Sequence, residues 1–410
     1  MRAYERLLKY VAVNTRSDDS SSTVPTTKIQ FDLANILADE LRALGCENVR
    51  CDDKCYVYAE IPATKGYEDR INLGFIAHMD TSPDFCGEGV KPQIIENYDG
   101  GEVKLGDSGR VLSPEMFPHL PHLKGRTLIT TDGTTLLGAD DKAGVSEIMT
   151  LVERLQSGEI AHGRILIGFT PDEEVGSGAD HFDVEGFGAD FAYTVDGGEE
   201  GSLEYENFNA CGVHFVVNGV NVHPGSAKNV MVNALLVAME INSLLPGADI
   251  PAKTSGYEGF YHAIGMSGSV ERATLDYIVR DHSFEMFEAR KQILSHIAKT
   301  LNEKYGEGTV ELTIKEQYRN MKEQIVPCMH LIDNAVKAAA DCGVVANVEP
   351  IRGGTDGARL SYMGLPCPNL GTAGYAFHGP FEHITVEGMD KQTDILVRIC
   401  EIYAQMKNKK

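Results

Sequence analysis

Four apolar, strand-like runs, each followed closely by a histidine or an acidic residue, constrain the fold of this chain most strongly. Each run is rich in Leu, Ile, Phe or Val, and the runs cover residues 71–77, 136–137, 164–170 and 191–195. An amphipathic helix is predicted over residues 142–156, because apolar residues recur there at helical spacing. Buried strands that alternate with such helices are typical of an α/β protein. We therefore expect a mixed, mostly parallel sheet flanked by helices.

The residues that follow these runs share one chemical property, because all of them are able to bind a metal ion. They are His78, Asp140, the pair Glu173 and Glu174, and Asp196. In an open α/β sheet the ligand site lies beyond the carboxyl ends of the strands, so residues far apart in the sequence can meet there. Carboxylates gathered without a counter-charge would repel one another, and a pair of divalent cations would relieve that repulsion. The pattern therefore predicts a metal site at one edge of the sheet.

Each of these residues also has a structural interpretation when it is taken alone. An Asp such as Asp140 at the start of a helix is commonly an N-cap, and an adjacent pair such as Glu173 and Glu174 commonly lies on a solvated face. A His-x-Asp sequence such as His78 to Asp80 is more often a structural pair than a metal ligand with its orienting carboxylate. The recurrence of ligand-type residues after all the runs, rather than any one of them, favours the metal site.

His378 adds a second imidazole to this set. Two zinc ions roughly 3.5–4 Å apart can share one carboxylate and activate a water for attack on a carbonyl. Such a site needs an imidazole and a carboxylate for each ion, and one further carboxylate to move a proton. Mixed histidine and carboxylate ligands suit zinc, cobalt or manganese better than calcium. Glu173 remains as the further carboxylate, and the candidate ligands are His78, His378, Asp140, Glu174 and Asp196.

Charge and composition narrow the choice of partners and compartment. The 410 residues carry a net charge of −23, which disfavours nucleic acid and anionic membrane surfaces as partners. Residues 1–10 lack the apolar core of a signal peptide, and no stretch reaches the roughly 18 apolar residues of a membrane span. The nine cysteines are scattered and odd in number, as expected for reduced thiols. We therefore expect a cytoplasmic protein, for which a small peptide or a metal cation is a compatible ligand.

A second domain is predicted from a change of pattern near residue 208. The expected elements follow the order βαββαβ of a ferredoxin-like sandwich, and they cover residues 211–217, 233–245, 260–264, 269–280, 284–301 and 309–317. We therefore expect a discontinuous first domain, residues 1–207 and 320–410, with an inserted α+β domain at residues 208–319.

Five motifs, in order along the whole chain, resemble those of the co-catalytic zinc aminoacylase and carboxypeptidase-like peptidases. They are His78-Met79-Asp80, Gly138-Ala139-Asp140-Asp141-Lys142-Ala143-Gly144, Thr170-Pro171-Asp172-Glu173-Glu174, Asp196-Gly197-Gly198 and His378-Gly379. The inserted domain and the segment at residues 351–357 resemble the tripeptide aminopeptidases of that family. The resemblance implies a dinuclear zinc enzyme with two ions per subunit, whose inserted domain is a lid that joins two subunits into a homodimer.

The resemblance also implies how the ligands divide between the two metal ions. Asp140 would bridge both ions. His78 and Asp196 would complete one metal site, and Glu174 and His378 would complete the other.

Five further residues have implied roles outside the ligand set. Glu173 would be the general base, and Asp80 would be the carboxylate that orients a ligating histidine. His223, in the lid, would reach the active site of the partner subunit and polarise the scissile carbonyl. Arg280 and Arg352 are candidates for binding the C-terminal carboxylate of a substrate, because a guanidinium can bind a carboxylate through two hydrogen bonds. Arg280 could equally form a structural ion pair.

Two alternatives to a tripeptide aminopeptidase remain open at this point. An N-acyl amino acid deacylase or a dipeptidase on the same scaffold would share every metal ligand and differ only in the substrate pocket. A non-catalytic protein that binds a metal or a peptide would be a different class. The presence of Glu173 beside a full ligand set argues against that class.

Overall fold

The computed structural model describes residues 1–408, which form two compact units. Unit 1 contains Met1–Tyr205, Glu323–Glu349 and the residues from Thr355 onward. Unit 2 contains Glu206–Lys322 and Pro350–Gly354.

The predicted inserted domain, residues 208–319, omits a segment that belongs to unit 2. Pro350–Gly354 joins this unit because its backbone pairs with the first residues of the unit. Ile351 N donates to Glu206 O over 2.8 Å, and Phe208 N donates to the carbonyl of residue 353. The two units therefore differ from the predicted ranges, 1–207 with 320–410 and 208–319, at this segment and at residues 206–207 and 320–322.

The strands and helices are numbered in chain order. The strands are β1 (Glu47–Cys51), β2 (Val57–Ile61), β3 (Leu73–His78), β4 (Pro92–Ile95), β5 (Val103–Leu105), β6 (Arg110–Leu112), β7 (Leu128–Thr131), β8 (Ile165–Thr170), β9 (Phe191–Gly197), β10 (Ser202–Glu204), β11 (Asn209–Asn218), β12 (Phe260–Gly268), β13 (Arg272–Asp281), β14 (Val310–Tyr318), β15 (Asn347–Val348), β16 (Asn369–Gly371), β17 (Gly374–Tyr375) and β18 (His383–Thr385). The helices are α1 (Ala3–Tyr10), α2 (Gln30–Ala43), α3 (Ala139–Gln156), α4 (Val184–Phe187), α5 (Ala234–Ser243), α6 (Phe284–Tyr305), α7 (Lys322–Ile325), α8 (His330–Asp341), α9 (Asp356–Tyr362) and α10 (Val386–Tyr403). Within residues 1–408, none of these helices is both long and apolar enough to span a membrane.

Unit 1 is built around an eight-stranded sheet with the strand order β1-β2-β8-β3-β9-β16-β10-β15. The neighbouring strands β8, β3, β9 and β16 are parallel, and antiparallel pairs flank them. Strands β3 and β8 are buried along their whole length, and α3 packs against β3 and β9. Such continuous burial explains why these strands are apolar throughout. The predicted α/β class, with its mixed sheet and flanking helices, is confirmed.

The carboxyl ends of three neighbouring strands bring predicted site residues to one edge of this sheet. His78 is the last residue of β3 and is in register with Thr170, the last residue of β8. Glu173 follows shortly after β8, and Asp196 lies near the end of β9. Three of the four apolar runs are therefore strands that end at ligand-type residues, as the pattern predicts.

The prediction that the run at residues 136–137 is a strand is wrong. Leu136 and Leu137 lie in a loop, and the strand before them, β7, ends at Thr131. Both leucines are buried, but Leu137 N donates to the Glu382 carboxylate rather than to a neighbouring strand. Asp140 therefore reaches the site through a loop.

A smaller four-stranded sheet of unit 1, which we call the auxiliary sheet, has the order β17-β18-β7-β4. Strands β17 and β18 form an antiparallel hairpin, and His378 lies in the connection between them. Strand β18 also pairs with β7, which leads into the loop before Asp140. The auxiliary sheet therefore brings together the segments that carry His378 and Asp140.

Unit 2 contains an antiparallel sheet with the order β12-β13-β11-β14. Buried residues alternate along β13, and together with β11 they form a core with α5 and α6. The elements follow the order βαββαβ, so the predicted ferredoxin-like arrangement is confirmed.

Helix α3 carries one buried carboxyl group that has no partner in the described structure. Glu147 is 0% exposed, and neither side-chain oxygen has a hydrogen-bond partner within residues 1–408. Burial raises the pKa of Glu147 well above its ordinary value. The ionised form of this side chain therefore destabilises the fold.

We expect Glu147→Gln to stabilise the protein increasingly as the pH rises. The unfolded chain releases this proton near the ordinary pKa of 4.5, whereas the folded chain keeps it to higher pH, so wild-type stability falls above that value. The variant should gain about 1–3 kcal/mol at about pH 8 and less at about pH 5. Urea unfolding measures this, with the exposed Glu159→Gln as control. A gain that does not change with pH would contradict the assignment.

Candidate metal centre

The side chain of Asp140 lies between two histidines. Its Oδ1 is 2.9 Å from His78 Nε2, and its Oδ2 is 3.2 Å from His378 Nε2. His78 is buried at the end of β3, whereas the side chain of His378 is 43% exposed in the β17–β18 hairpin. One carboxylate therefore presents a different oxygen to each imidazole.

Two further carboxylates flank this arrangement, one beside each histidine. Asp196 Oδ1 is 3.3 Å from His78 Nε2. Glu174 Oε2 is 2.9 Å from His378 Nε2. The fold thus brings all five predicted ligands together around Asp140.

Two groups of donor atoms in this cluster are compact enough to hold a metal ion. The atoms of each group lie within 4.8 Å of one another, and the groups are His78 with Asp141 and Asp196, and His78 with Asp140 and Glu174. His378 is outside both groups, although it lies within hydrogen-bond distance of Asp140 and Glu174. Asp141, which the sequence analysis did not name as a ligand, is the unexpected member.

Asp141 has two backbone contacts that distinguish it from Asp140. Its Oδ2 accepts a hydrogen bond from His78 N over 3.1 Å, and its Oδ1 accepts one from Gly144 N over 3.2 Å. The first contact braces the strand end that presents His78. The second caps the first regular turn of α3.

Asp80 joins the end of β3 to the segment that follows β8. Its Oδ1 lies 3.3 Å from His78 Nδ1. Its two oxygens also accept hydrogen bonds from Glu173 N, over 3.0 Å, and from Glu174 N, over 3.2 Å. This buried carboxylate therefore contacts His78 where an orienting group is expected, and it also fixes the turn that carries both glutamates.

Burial and mutual charge shift the pKa values of the clustered carboxyl groups. Burial raises the pKa of Glu174 to about 8, and the charge of Asp140 adds to this shift. Burial raises the pKa of Asp196 to about 6, and burial together with the charge of Asp196 raises the pKa of Glu173 well above its ordinary value. For Asp140, burial acts in the same direction, but hydrogen bonds from the two histidines outweigh it and lower the pKa.

The donor set fits a pair of divalent cations. Imidazole nitrogens and carboxylate oxygens are the ligands of catalytic zinc sites. Glu174 Oε1 is buried and has no hydrogen-bond partner within residues 1–408, so its lone pairs are available to a cation. Positive charge would also favour the ionised forms of Glu173, Glu174 and Asp196, whose pKa values are raised by burial first and by neighbouring carboxylates second.

Comparison with known proteins identifies the family. Peptidase T of Clostridium perfringens is 55% identical over 405 residues, which cover 98% of this chain and 99% of that protein. Peptidase T of Geobacillus kaustophilus is 51% identical over 403 residues, which cover 98% of each protein. The chain belongs to the peptidase T family. The prediction of a hydrolytic aminopeptidase from this group of peptidases is confirmed.

Solved structures share the fold of this chain, and a domain family matches one part of it. Aminopeptidase PepT from Bacillus cereus has a TM-score of 0.79 to this chain at 24% identity, with 98% of both chains covered. A tripeptidase from Staphylococcus aureus has a TM-score of 0.77 at 22% identity, covering 99% of this chain and 98% of that one. Residues 205–309 match the peptidase dimerisation domain, and this range contains most of unit 2.

Three of the predicted site residues, His223, Arg280 and Arg352, lie in unit 2. His223 precedes a 3₁₀ turn, and its Nδ1 accepts a hydrogen bond from Gly225 N over 3.1 Å. Arg280, near the end of β13, donates through Nη1 to Cys211 O over 3.3 Å, and its guanidinium lies 5.3 Å from the centre of the Tyr318 ring. Its Nη1 also donates to Val279 O over 3.0 Å, so the contacts of Arg280 are with backbone carbonyls and an aromatic ring.

Arg352 also belongs to unit 2, where several contacts hold it. Its Nη1 donates to Gly256 O over 2.6 Å and to Glu258 O over 3.0 Å, and its Nη2 donates to Thr254 Oγ1 over 3.1 Å. The guanidinium also lies 5.1 Å from the centre of the Phe208 ring. Arg352 therefore has a structural role in unit 2 that the sequence analysis did not predict.

Buried acidic residues that the sequence analysis did not single out surround the centre, and they are Asp172, Asp356 and Glu382. Asp172 accepts hydrogen bonds from Thr26 N and Gln30 Nε2, and Asp356 accepts one from Thr170 Oγ1. Glu382 accepts hydrogen bonds from the backbone just before Asp140. Each of the three lies within or close to one of the resemblance motifs or the segment at residues 351–357. This proximity is the only feature of the sequence that indicates a place near the site.

Proposed function

We propose that this chain is a dinuclear metallo-aminopeptidase that removes the N-terminal residue of tripeptides, with zinc as its metal. The observation that carries the proposal is the Asp140 carboxylate, whose two oxygens face His78 and His378 separately. A carboxylate in that position suits a bridge between two cations. Membership of the peptidase T family supports a peptide substrate, and a tripeptidase from Staphylococcus aureus shares the fold.

The ligands would divide into two sets that share Asp140. His78 and Asp196 would complete the first set, and Glu174 and His378 would complete the second. The contacts of 2.9–3.3 Å among these side chains support this division. Asp141 is left out of both sets, because its two oxygens already accept hydrogen bonds from backbone N–H groups.

Glu173 would move the proton during hydrolysis. When bound, two divalent cations would polarise the scissile carbonyl and make the attacking water more acidic. The Glu173 carboxylate would take a proton from that water and pass it to the leaving amine nitrogen as the C–N bond breaks. The hydrogen bonds from Glu173 N and Glu174 N to the Asp80 carboxylate support this role. They fix the turn that carries Glu173 beside the proposed ligand Glu174.

Unit 2 would supply the dimer contact and the residues that bind the rest of the peptide. The match of residues 205–309 to a peptidase dimerisation domain supports a homodimer. His223 of one subunit would polarise the scissile carbonyl in the active site of the other. Arg280 and Arg352 would bind the C-terminal carboxylate of the tripeptide. Arg280 is the stronger candidate, because both Nη atoms of Arg352 already donate within unit 2.

Amidation of the C-terminus of a tripeptide is expected to lower kcat/KM by about 10–100-fold, because it removes charge-assisted hydrogen bonds to a guanidinium. Arg280→Met should lower kcat/KM for the free tripeptide by a similar factor and leave the value for the amide nearly unchanged. Release of the N-terminal residue from trialanine and from its amide measures both effects. The exposed Arg272→Met, on the same strand, is the matched control.

Equal hydrolysis of the free and amidated peptides by the wild-type protein would contradict binding of the carboxylate by arginine. Hydrolysis of an N-acetylated amino acid, with none of the tripeptide, would contradict the proposed function and favour a deacylase.

A further inference from the structure

Glu382 is a buried carboxylate that holds the backbone just before and at Asp140. Its Oε2 accepts hydrogen bonds from Leu137 N over 2.7 Å and from Gly138 N over 2.8 Å. Its Oε1 accepts one from Asp140 N over 2.9 Å. Glu382 is only 1% exposed, so these three bonds form in surroundings from which water is largely excluded.

The shape of this loop depends on that carboxylate. Gly138 has a φ of 80°, which lies in the left-handed region that glycine adopts without strain. The turn at Gly138 directs successive N–H groups toward one anion, as in other backbone anion sites. Without an acceptor, these buried N–H groups would be unsatisfied, which is costly.

Glu382 comes from the same hairpin that carries His378. It lies between His378 and the first residue of β18, and β18 pairs with β7 in the auxiliary sheet. A single carboxylate therefore ties the loop that presents Asp140 to the hairpin that presents His378. Asp140 Oδ2 and His378 Nε2 are 3.2 Å apart at the centre of the cluster.

We propose that Glu382 is a positioning residue for the metal centre. By holding the backbone at residues 137–140 against the β17–β18 hairpin, it places the Asp140 carboxylate between His78 and His378 before any cation binds. The inference rests on the proposed function, because it takes Asp140 as the ligand shared by both ions. Loss of this bracing should weaken the binding of both ions together.

The direct test is Glu382→Gln. Its single carbonyl oxygen cannot accept all three hydrogen bonds, and its amide group would face backbone donors. Loss of a residue that orients metal ligands typically costs about 10–100-fold in metal affinity, and we expect a decrease of that size. Glu382→Asp keeps the charge but is one methylene shorter, so a smaller loss in the same direction is expected.

Glu387→Gln is the matched control. Glu387 is another carboxylate bound to backbone: it lies in the first turn of α10, and its Oε2 accepts a hydrogen bond over 2.8 Å from the N–H of Thr127, the residue before β7. Glu387→Gln therefore measures how much a Glu-to-Gln change alters metal affinity through protein stability alone. Metal-depleted wild-type protein and the three variants are titrated with Co²⁺, and affinity, visible absorption and urea stability are recorded.

The wild-type titration distinguishes a failure of the proposed function from a failure of the positioning role. If wild-type protein binds no Co²⁺, the proposed function fails. If wild-type protein binds Co²⁺ and Glu382→Gln binds it equally well, only the positioning role fails. An equal loss of affinity in Glu382→Gln and Glu387→Gln would also overturn the positioning role. If Glu382→Gln does not fold, wild-type affinity in Glu382→Asp overturns it.

Discussion

Glu173→Gln is expected to bind metal as tightly as the wild-type protein and to lose about 10²–10⁴-fold in kcat, the usual contribution of a general base. The glutamine retains the shape of the side chain but cannot take a proton from water. Metal binding should survive, because Glu173 lies beside the cluster without being one of its five proposed ligands.

The measurement combines metal analysis of the purified variant with steady-state hydrolysis of a tripeptide. Glu185→Gln, an exposed glutamate on the short helix α4, is the control for the chemical change and should be unaffected. A variant with metal bound and near-normal kcat would remove Glu173 from the mechanism. Loss of metal would instead make Glu173 a ligand.

Asp140→Asn is expected to lose both metal ions rather than one. The substitution keeps one oxygen but places an amide nitrogen opposite one of the two histidines, so neither site keeps its shared anionic ligand. The decrease in kcat/KM should exceed the roughly 10–100-fold that is typical when a residue that only orients a metal ligand is lost. Zinc should also no longer raise the melting temperature, because that stabilisation depends on binding to the folded state.

Metal content and thermal unfolding with and without zinc measure this effect. Asp132→Asn is the matched control. Asp132 lies in the loop that leads to Asp140, but it is not among the proposed ligands, and its carboxylate accepts a hydrogen bond from Thr134 N. Retention of two ions per chain by Asp140→Asn would show that Asp140 is not the bridging ligand. Retention of one ion would place Asp140 in a single site.

The residues at strand ends were predictable because their positions follow from local pattern. A buried strand is apolar along its whole length, so ligand-type residues at or just beyond its end mark the edge of the sheet. This reasoning locates His78, Glu173 and Asp196 without any information on tertiary contacts.

Residues whose surroundings depend on distant contacts were not predictable in this way. The sequence offers Asp140 as a candidate ligand, but it predicts a strand at Leu136 and Leu137, because burial gives a loop and a strand the same apolar residues. The role of Glu382 depends on backbone partners more than 240 residues earlier in the chain. No periodicity can indicate such a contact.

The start of α2 shows the same limit on a smaller scale. Thr26 and Thr27 have the residue type of a helix N-cap, and the apolar residues at helical spacing after them predict a helix over residues 26–44. Helix α2 instead begins at Gln30, because Thr26 donates through N and Oγ1 to Asp172. The hydroxyl that would have capped the helix binds the segment next to Glu173.

Titration of metal-depleted protein with Zn²⁺, with hydrolysis of trialanine followed at each step, tests whether two metal ions that share one carboxylate are needed to hydrolyse a tripeptide. We expect no hydrolysis without metal and a plateau at about two ions per chain, as for a two-metal site. Full hydrolysis by protein shown to contain no metal would contradict this expectation.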